Sequence, residues 1–312
     1  MRLVFLGTPQ FAVPTLDHIL HAGHEVLAVF TQPDRPKGRG GSLAASPVKE
    51  AALAHGLRIE QPPRIKRPEV VETLAALRCD AMVVVGYGQI ISQAIIDLAP
   101  LGIINVHGSL LPKYRGAAPI QWAIANGETV TGVTTMRIDA GLDTGDMLFK
   151  WETAIGLEET AIELGARMAT AGAALLVETL ARIEAGKLTG EPQDPTLATY
   201  APILKKEDGL IDWNQPAATI HNRARGFFPW PGAYSFFRGQ LFNIWKTQPS
   251  LIAPGTPASA HIEGTRLLIR CGGSTTLELL EVQLQGRKRI SAEAFLNGHR
   301  VSENEILGTP AT

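Results

Sequence analysis

Three side chains in two short segments supply the residue types that carbonyl chemistry requires. Asn105 and His107 follow the apolar run Gly102-Ile103-Ile104, and Asp143 stands within the glycine-rich segment 141–145. If the apolar run is a β-strand, its two-residue alternation places Asn105 and His107 on one face at the end of the strand. A turn at Asp143 can bring its carboxylate back to His107. An amide, an imidazole and a carboxylate that converge without a nucleophilic Ser or Cys indicate carbonyl chemistry on a bound donor.

Each of the three groups has a distinct role in that chemistry. When an amine attacks a formyl or acyl carbonyl, an oxyanion develops that needs preorganised hydrogen-bond donors. Asn105 can donate from its amide, and His107 can donate from a protonated ring. Because a nearby carboxylate raises the pKa of an imidazole, we expect Asp143 to keep His107 charged, to orient it and to help move the proton of the amine. The spacing alone leaves a second interpretation open, in which Asn105 and His107 cap backbone groups and Asp143 is a turn residue.

Strand-like and helix-like segments alternate through the first half of the chain. Short apolar runs predict strands at Leu3–Leu6, Glu25–Phe30, Ala81–Val85 and Gly102–Asn105, and helical spacing predicts helices at Phe11–Ala22, Pro68–Arg78 and Glu158–Gly186. This alternation is typical of a doubly wound, mostly parallel α/β sheet of the Rossmann-like kind. Such sheets bind ligands beyond the carboxyl ends of their strands. We therefore expect Gly86, Tyr87 and Gly88, which follow one of these strands, to line the same crevice as Asn105.

A second domain is indicated by a change in composition between Thr189 and Asp208. Three prolines in this stretch precede or flank Lys205 and Lys206. We predict a catalytic domain over residues 1–189, a linker over 190–208 and a second domain over 209–312. The second domain contains several short strand-like runs separated by Gly and Pro, which predict a small β-barrel with an OB-like Greek key.

Composition and charge exclude several other classes of protein. The chain has 312 residues with 29 Lys and Arg against 30 Asp and Glu, which does not support a strongly cationic nucleic-acid module. Cys79 and Cys271 are far apart, which excludes a disulfide framework and fits a reducing compartment. No signal peptide, membrane-spanning apolar run or metal-ligand spacing is present in the sequence. We therefore expect a cytoplasmic protein with no bound metal and no membrane partner.

Ordered motifs recur along the chain around the two chemical segments. They are Gly7-Thr8-Pro9, Phe11-Ala12, Thr31–Pro36, Asn105–Pro112, Arg115–Gln121, Gly141–Met147, Ile211-Asp212-Trp213 and Pro229-Trp230-Pro231. These motifs resemble those of the folate-dependent formyltransferases, which share an Asn-x-His-x-Ser-Leu-Leu-Pro segment and a downstream Asp in a glycine-rich loop. The similarity is closest to the members that formylate an aminoacyl-tRNA. It runs through residues 1 to 190 and continues into the second domain.

The resemblance implies a donor, an acceptor and a set of site residues. The implied donor is 10-formyltetrahydrofolate, and the implied acceptor is the α-amino group of charged initiator tRNA (methionyl-tRNA). The resemblance places Asn105, His107 and Asp143 at the catalytic positions of the family, and Ser109, Leu110, Leu111 and Pro112 in its folate-contacting segment. The purine-pathway members carry an additional histidine seven residues before the Asp. Met136 stands there in this chain, which favours the tRNA-formylating members.

A basic, glycine-rich loop is the first of three candidate contacts with tRNA. The resemblance aligns this loop, which contains Arg35, Lys37 and Arg39, with an insertion used on the acceptor stem. Its composition also suits phosphate binding, although an ordinary solvated loop has the same composition. The other two candidates are Lys205 with Lys206, and the run Arg287, Lys288 and Arg289 in the predicted barrel. For either of these two clusters taken alone, an ordinary solvated surface is the simpler interpretation, and the run in the predicted barrel is the better candidate of the two.

Two other functions remain open at this stage. The first is a formyltransferase that acts on a small amine, such as an amino sugar nucleotide. The second is a non-catalytic folate-binding or RNA-binding protein. The basic loop and the second domain argue against the small-amine enzyme, whereas substitution of Asn105 and Asp143 would distinguish an enzyme from a binding protein. We expect the protein to be a monomer.

Overall fold

A seven-stranded sheet built from buried Val, Leu, Ile and Phe residues forms the core of the N-terminal part of the chain. Its strands are β1 (Arg2–Gly7), β2 (Glu25–Phe30), β5 (Ile59–Glu60), β6 (Ala81–Val85), β7 (Ile103–His107), β9 (Val130–Arg137) and β10 (Met147–Ala154). Their spatial order is β10, β9, β7, β6, β1, β2 and β5. The neighbouring strands β7, β6, β1, β2 and β5 are parallel to one another. Strand β9 runs antiparallel to β7, and β10 runs antiparallel to β9. The expected doubly wound, mostly parallel sheet is confirmed.

The computed structural model describes residues 1–37, 42–250 and 255–308. It divides into two compact units: the first comprises residues 1–119, 130–154 and 165–202, and the second comprises residues 120–129, 155–164 and 203 onwards. Shorter strands of the first unit are β3 (Arg35–Lys37), β4 (Ser42–Ala44), β8 (Arg115–Gly116) and β11 (Tyr200–Ala201). The stretch 190–202, expected to be a linker, lies in the first unit because β11 pairs with β8 there.

The chain up to Glu184 contains helices α1 to α6, of which α1, α3 and α6 are predicted by the apolar spacing of the sequence. They are α1 (Val13–His21), α2 (Pro47–Ala54), α3 (Pro68–Leu77), α4 (Gln93–Ile96), α5 (Pro119–Ala125) and α6 (Ala161–Glu184), with short 3-10 turns at Gln10–Ala12, Pro195–Leu197 and Lys206–Gly209. Ser46 caps α2 by accepting a hydrogen bond from the Lys49 amide, and Pro47 occupies the first helical position. Proline is favourable there because the first turn of a helix leaves its amides unpaired.

The long helix α6 belongs to the core of the first unit from residue 165 onwards, and its first four residues are assigned to the second unit. Among the described helices, it is the one long and apolar enough to span a membrane by length and composition alone. Its residues Met168, Leu176 and Leu180 are fully buried. A Cβ at Gly172 would lie 2.9 Å from Val106 of β7, so the absence of a side chain lets α6 approach the sheet closely. The apolar composition of α6 is therefore explained by packing against β7.

The second unit contains an antiparallel sheet that curls around its own core. Besides most of α5, it contains α7 (Ala217–Gly226), β12 (Ala233–Phe237), β13 (Gln240–Ser250), β14 (Ala260–Glu263), β15 (Arg266–Cys271), β16 (Thr275–Leu284), β17 (Ile290–Ser291) and α8 (Ala292–His299). The strand order is β12, β13, β16, β15 and β14, and β17 also pairs with β16. Phe237 of β12 and Ala260 of β14, at opposite edges of the sheet, share one apolar core.

The segment that follows α8 bridges the two edges of this sheet. The Leu307 amide donates to the Ala258 carbonyl, and the Gly308 amide donates to the Phe236 carbonyl, each at 2.9 Å. Backbone groups at an open sheet edge would otherwise be unpaired. The architecture is therefore that of a small barrel-like domain, as the short strand-like runs predict.

Candidate active site

Strand β7 presents Asn105 and His107 on the face of the sheet that points away from α6. In the antiparallel pairing with β9, Asn105 lies opposite Met136 and His107 lies opposite Thr134. Val106, which points to the other face, packs towards Gly172 of α6. Asn105 is 8% exposed and His107 is 5% exposed. The strand extends two residues beyond the expected end, so His107 is its last residue.

The imidazole of His107 is fixed in orientation by a backbone carbonyl. His107 Nε2 lies 2.9 Å from the Tyr114 carbonyl oxygen. Because a carbonyl oxygen only accepts hydrogen bonds, Nε2 carries a proton and donates it. The other ring nitrogen, Nδ1, faces Asp143, with 3.7 Å between Nδ1 and Oδ2. That distance is within the range of an ion pair and beyond that of a direct hydrogen bond.

The carboxylate of Asp143 is held by the backbone of β8. The Gly116 amide donates to Asp143 Oδ2 at 2.8 Å. Asp143 has a φ of +52°, in the left-handed region that few residues other than glycine adopt. The turn within segment 141–145 therefore brings Asp143 to His107, as the sequence predicts from its flanking glycines.

The carboxamide of Asn105 has no hydrogen-bond partner among the described residues. One wall beside it is apolar, because Met136 forms a buried cluster with Leu111 and Met147. The amide atoms of Asn105 are not among the fully buried polar atoms that lack a partner, so they remain accessible although the residue is only 8% exposed. Its donors are therefore available to a bound molecule next to the His107 ring.

The segment Ser109–Pro112 is shaped by a hydrogen bond relay centred on Thr134. The Thr134 hydroxyl donates to the Ser109 carbonyl at 2.7 Å and accepts from the Leu111 amide at 3.1 Å. The Ser109 hydroxyl donates to the Lys113 carbonyl at 2.6 Å. Ser109 and Leu111 are buried, whereas Leu110 and Pro112 are partly exposed. The latter two are therefore the members of the segment that a ligand can reach.

The loop Gly86-Tyr87-Gly88 lies beside the loop that follows β1. Gly86 and Gly88 have φ values of +57° and +82°, and a Cβ at Gly86 would lie 2.8 Å from Pro9 Cγ. The Tyr87 carbonyl accepts hydrogen bonds from Thr8 and Gln32. Its ring belongs to the apolar core, and burial raises the pKa of the Tyr87 hydroxyl above its usual range. Any contact between Tyr87 and a ligand is therefore made by the backbone of Tyr87.

The basic loop begins and ends as a β-ribbon. Strands β3 and β4 pair, with Arg35 opposite Ala44 and Lys37 opposite Ser42. The base of the ribbon is anchored by Asp34, which accepts hydrogen bonds from Lys49 and Gln61; both contacts hold the pKa of its carboxyl below the usual range. Arg35 is exposed. Arg39 lies outside the described residues.

The basic clusters of the second unit differ in how far their charges are compensated. Lys205 and Lys206 are exposed. Arg287, Lys288 and Arg289 are also exposed, but Arg289 forms an ion pair with Glu281 and lies 5.4 Å from the centre of the Trp245 ring.

Sequence reasoning does not identify three groups that orient the site: the Tyr114 carbonyl, the Gly116 amide and the Thr134 hydroxyl. Two of them are backbone atoms, which have no signature in the residue types. Thr134 is an ordinary strand residue whose role depends on the pairing of β9 with β7. Among the residues that the structure describes, no group of three or more His, Cys, Asp or Glu side chains is placed to hold a metal ion.

Comparison with known families accounts for most of the chain. Residues 1–180 match the formyl transferase family, and residues 203–300 match the formyl transferase C-terminal domain. The chain therefore belongs to the formyl transferase family, and it is an enzyme of that family.

Individual relatives narrow the class further. The chain is 65% identical over 308 residues to the methionyl-tRNA formyltransferase of Solibacter usitatus, with 99% of each sequence covered. It is 58% identical over 309 residues to the methionyl-tRNA formyltransferase of Koribacter versatilis, again with 99% of each covered.

A solved structure shares the fold. The N-formyltransferase of Helicobacter canadensis, in complex with folinic acid and dTDP-3-aminofucose, superimposes with a TM-score of 0.66 at 18% identity. The match covers 89% of this chain and 98% of that one. This likeness supports the fold of both units.

Proposed function

We propose that this chain transfers the formyl group of 10-formyltetrahydrofolate to the α-amino group of methionyl initiator tRNA. The observation that carries the proposal is the meeting of His107 and Asp143 beside the unpartnered Asn105 amide, in the unit that matches the formyl transferase family. Curated relatives with 47–65% identity over nearly the full chain are named methionyl-tRNA formyltransferase, which supports the choice of acceptor. The folinic acid bound by the Helicobacter canadensis protein supports a folate donor.

The proposed reaction needs no covalent intermediate with the protein. The neutral α-amine of the substrate attacks the formyl carbon, and a tetrahedral oxyanion forms. The bond between the formyl carbon and N10 then breaks, N10 receives a proton, and the amine loses one. The amide of Asn105 donates to the oxyanion, and preorganised donors of this type typically accelerate such steps by about 10²–10³-fold.

His107 and Asp143 complete the proposed machinery. Because Nε2 of His107 donates to the Tyr114 carbonyl, Nδ1 is the ring nitrogen that serves the reaction. A proton on Nδ1 donates towards the oxyanion while the Asp143 carboxylate, 3.7 Å away, stabilises the charged ring. Asp143 also accepts and returns the proton of the amine, directly or through water.

Binding of the two substrates is assigned to separate surfaces. We propose that Leu110 and Pro112, supported by Ser109 and Leu111, contact the folate together with the backbone of residues 86–88. For the tRNA we propose contacts with Arg35, Lys37 and Arg39 of the ribbon, with Lys205 and Lys206, and with Arg287, Lys288 and Arg289. We also propose that the enzyme acts as a cytoplasmic monomer without a metal and without a membrane partner.

An acceptor assay tests the proposed substrate. The purified protein is incubated with 10-formyltetrahydrofolate and either methionyl initiator tRNA or an amino sugar nucleotide. We expect formylation of the tRNA only. Transfer to the small amine alone would replace the proposed function with that of a small-amine formyltransferase.

A variant assay separates an enzyme from a binding protein. We expect Asp143→Ala to lower the rate by orders of magnitude while folate binding, measured by equilibrium titration, is retained. Asp97→Ala, which changes an exposed aspartate at the end of α4, is the matched control. Full activity of Asp143→Ala would remove the carboxylate from the mechanism.

A further inference from the structure

A segment outside both matched family regions runs along the active site. Residues 190–201, which we name the strap, follow the matched region 1–180 and precede the matched region 203–300. At one end of the strap, Glu191 and Met147 exchange two backbone hydrogen bonds of 2.8 and 2.9 Å. At the other end, the Arg115 amide donates to the Thr199 carbonyl at 2.8 Å. The strap therefore joins the strand after the Asp143 loop to the strand that holds the Asp143 carboxylate.

The side chain of Gln193 makes a second connection between the same two elements. Its Nε2 donates to the carbonyl oxygens of Asp143 and Gly145, each at 2.8 Å. Its Oε1 accepts from Nε and Nη2 of Arg115, at 3.0 and 2.7 Å. Arg115 is itself only 5% exposed. Gln193 thus connects a buried cation to the loop of Asp143.

The chemistry of these contacts suits a carboxamide and few other groups. A guanidinium only donates and a carbonyl only accepts, so the orientation of the Gln193 amide is set by its partners. Both amide protons and both lone pairs of the oxygen are used. A glutamate can accept from Arg115 but cannot donate to the two carbonyls, and an apolar side chain can do neither.

The loop that carries Asp143 needs an external support. It contains Gly141 and Gly145, Asp143 has a positive φ, and Leu142 is 60% exposed and so contributes no buried anchor. Within the loop, Asp139 accepts from the Gly141 amide and the Thr144 hydroxyl. Those bonds shape the loop, but they do not connect it to another element. The Gly116 amide of β8 bonds the side chain of Asp143, and Gln193 is what bonds the backbone of the loop.

We propose that Gln193, braced by Arg115, is a positioning residue that holds the Asp143 carboxylate in place beside His107 for formyl transfer. This inference rests on the catalytic role proposed above for Asp143. Gln193 does not touch the reacting atoms in this arrangement. Its effect reaches the reaction through the backbone of Asp143.

The first test compares Gln193→Met with Gln193→Glu in the full-length enzyme. Because small displacements of catalytic groups are costly, we expect kcat for formylation of methionyl-tRNA to fall by about 10- to 100-fold in both variants. We expect KM for each substrate to stay within about threefold, since neither proposed binding surface contains Gln193. Thr196→Ala is the control, because Thr196 bonds Asp194 within the strap and does not contact the loop.

The glutamate variant distinguishes positioning of the loop from anchoring of the strap. Gln193→Glu retains the contact with Arg115, so a role limited to anchoring predicts wild-type kcat for this variant. Wild-type kcat in Gln193→Glu would overturn the inference. Thermal unfolding of each variant establishes that the comparison concerns folded protein, and the glutamate variant remains informative if Gln193→Met does not fold.

A double-mutant cycle tests whether Gln193 acts through Asp143. In an Asp143→Asn background we expect Gln193→Met to change the residual rate by less than about threefold, since residues that act as a unit are not additive. An undiminished effect in that background would overturn the inference while leaving the role of Asp143 intact. A wild-type rate for Asp143→Asn alone would instead contradict the proposed function.

Discussion

At the scale of single residues, the two ring nitrogens of His107 have different roles, one structural and one proposed to be chemical. Nε2 donates a hydrogen bond to the Tyr114 carbonyl, and Nδ1 faces the Asp143 carboxylate. Neighbouring Asn105 is buried but keeps its carboxamide unbonded among the described residues. The His107 ring is thus restrained by its neighbours, whereas the Asn105 side chain makes no hydrogen bond that supports the fold. Substitutions at the two positions should therefore differ in their effect on stability.

Asn105→Ala should reduce activity without reducing stability. The substitution removes a proposed oxyanion donor, so we expect kcat to fall by about 10²–10³-fold. No intramolecular hydrogen bond of the side chain is lost, so Tm should stay close to that of the wild type. Activity assays and thermal unfolding of the same preparation check both parts. A large fall in Tm would show that the amide has a structural partner.

The sequence points to the residues of the candidate site, but not to the contacts that restrain them. Asn105 and His107 are recognisable because a short apolar run precedes them and alternation places them on one face. Asp143 is recognisable from its glycine neighbours. Gln193 carries no such signal, because its partners lie 48 to 78 positions away and its surroundings contain Pro192 and Pro195, which resemble a linker.

At the scale of elements, β9 connects the fold of the sheet to the proposed folate segment. Thr134 of β9 bonds both ends of the turn that contains Leu110, and Gly132 lies under that turn. The ribbon of β3 and β4 is a second element that the sequence does not predict, because its three-residue strands and Pro36 leave no alternation to detect. The ribbon pairs neighbouring parts of the chain, whereas the contacts of Thr134 link residues 23 and 25 positions apart.

Gly132→Ala should disturb both the sheet and the folate segment. A Cβ there would lie 2.0 Å from the Trp151 carbonyl oxygen and 2.6 Å from Leu110 Cδ2. We expect a loss of about 1–3 kcal/mol in the free energy of unfolding, and a higher KM for the folate donor. Urea unfolding and steady-state kinetics check these effects. Gly298→Ala, in α8 with open space around the new Cβ, is the control and should be neutral or stabilising.

The basic run that follows β16 should contribute unequally to tRNA binding. Glu281 already pairs with Arg289, whereas Arg287 has no such carboxylate among the described residues. We therefore expect Arg287→Ala to weaken tRNA binding more than Arg289→Ala, and to reduce the slope of log affinity against log salt by about 1. Titrations at several salt concentrations check this order. Equal effects would mean that Glu281 releases Arg289 in the complex.

At the scale of the whole molecule, the two units have separate apolar cores, and a buried histidine makes the stability of the second unit depend on pH. In the second unit, His221 donates to or accepts from Thr247, and its side chain is 8% exposed. Burial lowers the pKa of His221 and outweighs the opposite effect of nearby Glu158. The unfolded chain therefore binds a proton at this position at a higher pH than the folded chain does.

The second unit should lose stability as the pH falls below the ordinary imidazole value of 6.5. Protonation of His221 then favours the unfolded state until the folded ring also becomes charged. His221→Gln should reduce this loss, whereas His21→Gln, at an exposed position in α1, should not. Urea unfolding between pH 8 and pH 5 measures the difference. Parallel curves for the wild type and His221→Gln would assign the pH dependence to other groups.

The strap also determines where the chain can be divided. A fragment that ends at residue 180, the boundary suggested by the family match, keeps Asn105, His107 and Asp143 but lacks Gln193 and β11. It would contain every signature residue of the active site and leave the loop of Asp143 and the β8 backbone without their shared support. The stretch of sequence that suffices to recognise the catalytic unit is thus shorter than the stretch that we expect an active enzyme to need.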